Sequence, residues 1–108
     1  MSHYTANLRD IEFCLFDLLG RDKLLGTGLY SDLDRETAMG MLEEMKRLTE
    51  NDLAESFVEG DRLGTDFNKA TGDVKLPESF KKSYKSYVDG EWWRLDAPVD
   101  LGGTRVPH

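Results

Sequence analysis

Leu8, Ile11, Leu15 and Leu18 recur at helical spacing near the start of the chain, and Phe13, Cys14, Phe16 and Leu19 widen that stripe. The pattern predicts a helix from Leu8 to Leu19. Asn7 stands at its N-cap, with Asp10 three residues on as a box-like partner, and Gly20 stands where the helix should end. A helix apolar around so much of its circumference is expected to be buried on more than one side, with Cys14 inside. So short a segment cannot cover that surface by itself.

Gly20 to Asp34 reads as a connector, with Leu24-Leu25 in a short turn followed by Gly26 and Gly28. Asp34 is placed to cap a second helix, and Leu33 and Ala38 occupy hydrophobic-staple positions around it. From about Arg35 to about Gly60 the apolar face is Ala38, Met41, Leu42, Met45, Leu48, Leu53, Phe57 and Val58. The stripe slips near Thr49, where Thr49 and Asp52 offer a second capping box. One continuous helix is preferred over two. Gly40 inside it costs about 1 kcal/mol relative to Ala and implies either close packing or tolerance.

Residues 66–76 change character. Phe67, the Ala70-Thr71-Gly72-Asp73 turn and Val74 to Leu76 predict a short β-hairpin or an extended loop. Pro77 then opens a third helix, running to Leu95 or Asp96. Its expected core face is Phe80, Tyr84, Tyr87, Val88, Trp92 and Leu95, with Lys81, Lys82 and Lys85 turned to solvent. Adjacent helical residues lie about 100° apart. Trp92 therefore belongs to the core face, and Trp93 points elsewhere. The fold class is mainly α, with about three main helices.

Composition narrows the function. The 108 residues suffice for one small domain, with 39% hydrophobic and 32% charged positions. The net charge of −7 argues against nucleic acid and against an anionic membrane surface. A single cysteine allows no internal disulfide and agrees with a reducing compartment, so a cytoplasmic protein is expected. The N-terminus lacks the pattern of a signal peptide, and no apolar run reaches the length of a membrane span.

No set of residues assembles a catalytic or metal site. Gly26-x-Gly28 lacks the third glycine of a dinucleotide loop, where Ser31 stands. Asp61 to Gly72 fails the calcium-loop pattern at Leu63, Thr65 and Gly72. His3, Cys14 and His108 are too dispersed for zinc, and Cys14 has no basic neighbour to activate it. Glu43-Glu44 and Glu55–Glu59 read as solvated carboxylates, and the Lys81-Lys82-Lys85 cluster as a solvated face rather than an anion site. No catalytic, cofactor-binding or metal-ligating residue is assigned.

Five stretches taken together resemble the N-terminal part of an acyl-CoA dehydrogenase: MSHYTANLRDIEFCLFDLLGRDKLLG, YSDLDRETAMGMLEEMKRL, LAESFVEGDR, ATGDVKLPESFKKSYKSYVDGEWWRL and LGG. The likeness is to the actinobacterial, long-chain-type branch, which carries an extra segment before its first helical domain. It implies that 1–33 is this extra segment with one apolar helix, and that 34–108 is part of the N-terminal helical domain. Two departures stand out. Leu63-Gly64-Thr65 follows Gly60-Asp61-Arg62 where the branch has a proline-rich stretch, and Pro98-Val99-Asp100 replaces Pro-Glu-Glu before the Leu-Gly-Gly.

Complete members of that family are flavoproteins that use FAD to remove two hydrogens from the α and β carbons of an acyl-CoA. They pass the electrons to an electron-transferring flavoprotein and form homodimers or homotetramers. Their catalytic glutamate and most FAD contacts lie in middle and C-terminal domains beyond the region matched here. The chain alone is therefore expected to bind no FAD and to perform no oxidation. Only Leu101, Gly102 and Gly103 match a family motif, near the acyl-binding region, and they are the substrate-pocket candidates. The alternative is a free-standing helical interaction module derived from that domain, without enzymatic activity. A self-contained helical bundle is the third reading.

Overall fold

The structure, a computed structural model, describes residues 3–107. It is mainly helical. Its elements are α1 (Leu8–Glu12), α2 (Arg35–Leu48), α3 (Ala54–Leu63), the strands β1 (Asp66–Phe67) and β2 (Val74–Lys75), and α4 (Glu78–Asp89). Short 3-10 turns link them, and two π-helical segments extend α1 and join α2 to α3.

The predicted caps are in place. The Asn7 side chain accepts from the Asp10 backbone N–H, and its amide donates to the Asp10 carboxylate at 2.9 Å. α1 passes directly into the π segment Phe13–Leu18 and stops at Gly20, whose φ of 59° turns the chain out of the helix. In the connector, the Gly26 N–H donates to the carbonyls of both Tyr30 and Leu33, which folds Leu33 inward. Asp34 caps α2 by accepting from the Thr37 N–H at 2.7 Å.

From Arg35 to Leu63 the backbone is one uninterrupted helical rod, as the sequence pattern favours, although it runs past Gly60 to Gly64. The slip in the apolar stripe is taken up by a π segment, Thr49–Leu53. The expected capping box there does not form, because the Thr49 hydroxyl instead donates to the Lys46 carbonyl at 2.9 Å. Asn51 and Ser56 likewise donate to the Arg47 and Leu53 carbonyls. A wider turn rotates the following residues relative to the preceding ones. The rod thus shows one apolar face before the π segment and a different one after it.

The N-terminal segment runs along both halves of the rod, and α4 packs on its second half. The N-terminal segment lies antiparallel along the rod. Glu12 pairs with Arg35 at 2.8 Å, the Ala6 N–H donates to Glu50 at 2.8 Å, and the His3 and Phe57 rings meet at 4.9 Å. Arg35 also stacks over Phe16, 4.6 Å from the ring centroid. α4 packs antiparallel on α3 and the π segment, with Lys82 paired to Glu55 and the Ser83 hydroxyl donating to the Asp52 carbonyl at 2.8 Å.

The α3–α4 seam corrects the expected core face of the third helix. Ser83 is its buried residue, 7% exposed, whereas Tyr84 is 70% exposed and Phe80 and Val88 are also exposed. Small residues win here because the helices approach closely. A Cβ on Gly60 would lie 2.0 Å from the Phe80 ring. Gly40, by contrast, has nothing within 4 Å and is simply tolerated. α4 also ends earlier than its periodicity suggests. It stops at Gly90, Glu91 takes a left-handed conformation at φ 56°, and Trp92–Leu95 forms a 3-10 turn. The Trp92 ring folds over Gly90, at 2.7 Å from where a Cβ would stand.

β1 and β2 pair antiparallel, Asp66 opposite Lys75 and Phe67 opposite Val74, which is the predicted hairpin. Both strands are exposed. So is most of the apolar surface. Among the described residues, the buried hydrophobic side chains are Phe16, Leu33 and Ala54 alone. The first helix is exposed at Phe13, Leu18 and Leu19, and Cys14 is exposed rather than buried. The radius of gyration is 17.6 Å, against about 13 Å for a compact domain of about this length.

Two outcomes follow from these contacts. Arg35 first, then Arg9, holds the Glu12 carboxyl below its ordinary 4.5, and Lys46 and the Ala6 N–H do the same for Glu50. A depressed folded-state pKa gives stability that is present above the ordinary carboxylate range and lost as pH falls through the lower folded value. Hydrogen-exchange protection factors at residues 3–12, measured against the intrinsic rate at each pH, should therefore fall below about pH 4.5 before those of α3 and α4 do; an equal fall everywhere would count against the clamp. Gly60→Ala should destabilise the α3–α4 seam by roughly 1–3 kcal/mol through overpacking. Thermal unfolding followed by circular dichroism checks this, with Gly40→Ala as the neutral-to-stabilising control.

Candidate functional site

Leu101, Gly102 and Gly103 close a compact turn that starts at Pro98. The Leu101 and Gly103 N–H groups both donate to the Pro98 carbonyl at 3.0 Å, and Gly102 donates to Val99 at 3.0 Å. The Thr104 N–H then reaches the Arg94 carbonyl at 2.7 Å, which ties the turn to the tryptophan segment. Gly102 is left-handed, with φ 89°. Gly103 has no room for a side chain, since a Cβ would fall 1.6 Å from the Ala97 carbonyl oxygen.

The paired glycines thus serve the turn itself. Leu101 points outward and is 70% exposed. Gly102 lies over the Trp93 ring, 3.6 Å from its Cη2 to the position a Cβ would take. On another side the Arg94 guanidinium stands 5.4 Å from the Trp93 centroid, held by Glu91 at 2.9 Å. Trp93 is therefore partly covered by its own chain. Trp92 faces the other way, into a cleft with Leu48, Ser86 and Asp89.

A half-open apolar cavity of about 180 Å³ lies where the N-terminal segment, the connector, α2 and the C-terminal segment meet. Leu15, Phe16, Leu33, Met41, Leu42 and Val106 contribute to its wall, and the exposed Arg21 stands among them. The sequence pattern does not single out this cavity. Its lining comes from four separated stretches, and only the turn at Gly26 and the antiparallel N-terminal segment bring them together.

The remaining candidates are dispersed or neutralised. Lys81, Lys82 and Lys85 pair with Glu78, Glu55 and Asp89 at 2.5, 2.7 and 2.5 Å. Lys81 holds the Glu78 carboxyl below its ordinary range, and Glu55 raises the Lys82 ammonium. Glu44 pairs with Arg47 at 2.7 Å. The Gly26 amide is spent on Tyr30 and Leu33. Cys14 is an exposed free thiol, and His3 packs on Phe57. His108 lies outside the described residues. Among those described, no group of three or more His, Cys, Asp and Glu is placed to hold a metal ion, and no helix is long and apolar enough to cross a membrane.

No protein-family model matches the chain. Over 107 residues it is 50% identical to the broad-specificity linear acyl-CoA dehydrogenase FadE5 of Mycobacterium tuberculosis, a match covering 99% of this chain and 18% of that protein. Over 104 residues it is 32% identical to 3-methylmercaptopropionyl-CoA dehydrogenase of Ruegeria pomeroyi, covering 96% of this chain and 17% of that protein. The chain spans less than a fifth of the length of these relatives.

The turn gives a direct test. Gly103→Ala forces a Cβ into a backbone carbonyl that cannot rotate away, so the 98–103 turn should open and uncover Trp93. Tryptophan emission should shift to longer wavelength; an unchanged spectrum would mean that the turn does not shield the ring.

Proposed function

We propose that this chain, a relative of acyl-CoA dehydrogenases along nearly its whole length, acts as the N-terminal portion of such an enzyme. The reaction would be FAD-dependent α,β-dehydrogenation of acyl-CoA thioesters in the cytoplasm, in a homo-oligomer that delivers electrons to an electron-transferring flavoprotein. Residues 1–33 would form the extra segment and 34–108 part of the helical domain. The observation that carries the reading is the 50% identity to FadE5 over 107 residues, confined to 18% of that protein. The exposed apolar side chains support it, because a domain fragment cut from its neighbours leaves such faces bare.

The described residues do not fit a flavin. The 750 Å³ cleft beside Trp92 is bordered by Glu44, Asp52 and Asp89 against one cation, Arg47, which is paired with Glu44, so its net charge repels a diphosphate, and the apolar cavity is too small for the ring system. FAD and the catalytic base would come from the middle and C-terminal domains. This chain's part is structural: the Pro98–Gly103 turn, with Leu101 outward, would form a piece of acyl-pocket wall, and the bare helix faces would seat the other domains.

Reconstitution tests this. The chain would be co-expressed with a FadE5 polypeptide lacking the matching segment. The expected result is a yellow complex that oxidises an acyl-CoA, while the isolated chain stays colourless and inactive. Failure to associate, together with monomeric, cooperative unfolding of the isolated chain, would instead favour a self-contained helical bundle.

A further inference from the structure

The apolar cavity beside the first helix has two properties that together define a ligand. Its volume, about 180 Å³, is slightly above that of an apolar cavity of about 150 Å³ that stays dry and accepts a benzene-sized group. Its wall is apolar, from Leu15, Phe16, Leu33, Met41, Leu42 and Val106. The one cation among the lining residues is Arg21. Among the described residues Arg21 forms no ion pair. Arg35, the other arginine close by, is committed to Glu12 and to the Phe16 face.

We infer that this cavity is a binding site for a small amphipathic monocarboxylate, its short alkyl or aryl tail among Phe16, Leu33 and Leu42 and its carboxylate on Arg21. A guanidinium matches a carboxylate with two parallel hydrogen bonds. One cation in a chain of net charge −7 cannot balance a di- or triphosphate, which sets the ligand apart from a nucleotide. The cavity is separate from the Leu101–Gly103 turn, and the inference does not rest on the proposed dehydrogenase role.

The test titrates the full 108-residue chain with hexanoate and, separately, with 1-hexanol, following backbone amide shifts by NMR. Hexanoate should shift Leu33, Ala38 and Leu42 with a Kd of about millimolar order, as befits so small a ligand. Hexanol should bind about tenfold more weakly. Arg21→Gln, at an exposed position, should erase that preference, and Ala38→Leu should fill the cavity and abolish both responses. Equal binding of acid and alcohol, shifts elsewhere in the chain, or a preference that survives Arg21→Gln would each overturn the assignment.

Discussion

The helical rod from Arg35 to Leu63 is the member to which the N-terminal segment and α4 are both fastened, and its π segment decides how. A regular helix of that length would keep one apolar stripe on one side, and the N-terminal segment and α4 would compete for it. The wider turns at Thr49–Leu53 rotate the two halves relative to each other. Arg35, Glu50 and Phe57 meet the N-terminal segment along the rod, while Gly60 and the Asp52 carbonyl meet α4. Two partners are held by one rod without contact between most of their residues.

Local signals in the sequence mark this architecture well. Asn7, Gly20, Asp34 and Pro77 each act within a few residues, and each stands where the chain starts or stops a helix. The hairpin turn around Thr71-Gly72 is legible for the same reason. What periodicity misreads is which residues are inside. It predicts Tyr84 and Cys14 in a core, yet both are exposed, and it passes over Ser83, which is buried. An apolar stripe records all the surface a helix must cover at some time. It does not record which neighbour covers it. The close seam is instead written in small residues, Gly60 and Ser83, whose partners stand 20 and 31 positions away.

The candidate site shows the same division. The paired glycines at 102 and 103 are visible as a turn in the sequence, and a turn is what they make. That Gly102 lies against Trp93 follows only once Gly90 has ended α4 and Glu91 has turned the chain. Gly90 ends the helix, whereas the apolar spacing through Trp92 and Leu95 predicts one that runs on. The left-handed Glu91 precedes both tryptophans, which stand side by side in the 3-10 turn Trp92–Leu95 and point apart by its helical angle. One closes the cleft beside Leu48, and the other rests under its own C-terminal turn.

The antiparallel course of the N-terminal segment bears on the order in which the chain can assemble. Residues 3–12 are synthesised before the rod, and until it is made they have nothing to lie on. Glu12 finds Arg35 across 23 positions, and Ala6 finds Glu50 only across 44. Longer loops cost more entropy to close, so contacts form from the Glu12 end outward, each shortening the free loop for the next. The segment closes like a zip whose track is synthesised after it, and the residues around Ala6 are among the last of it to be seated.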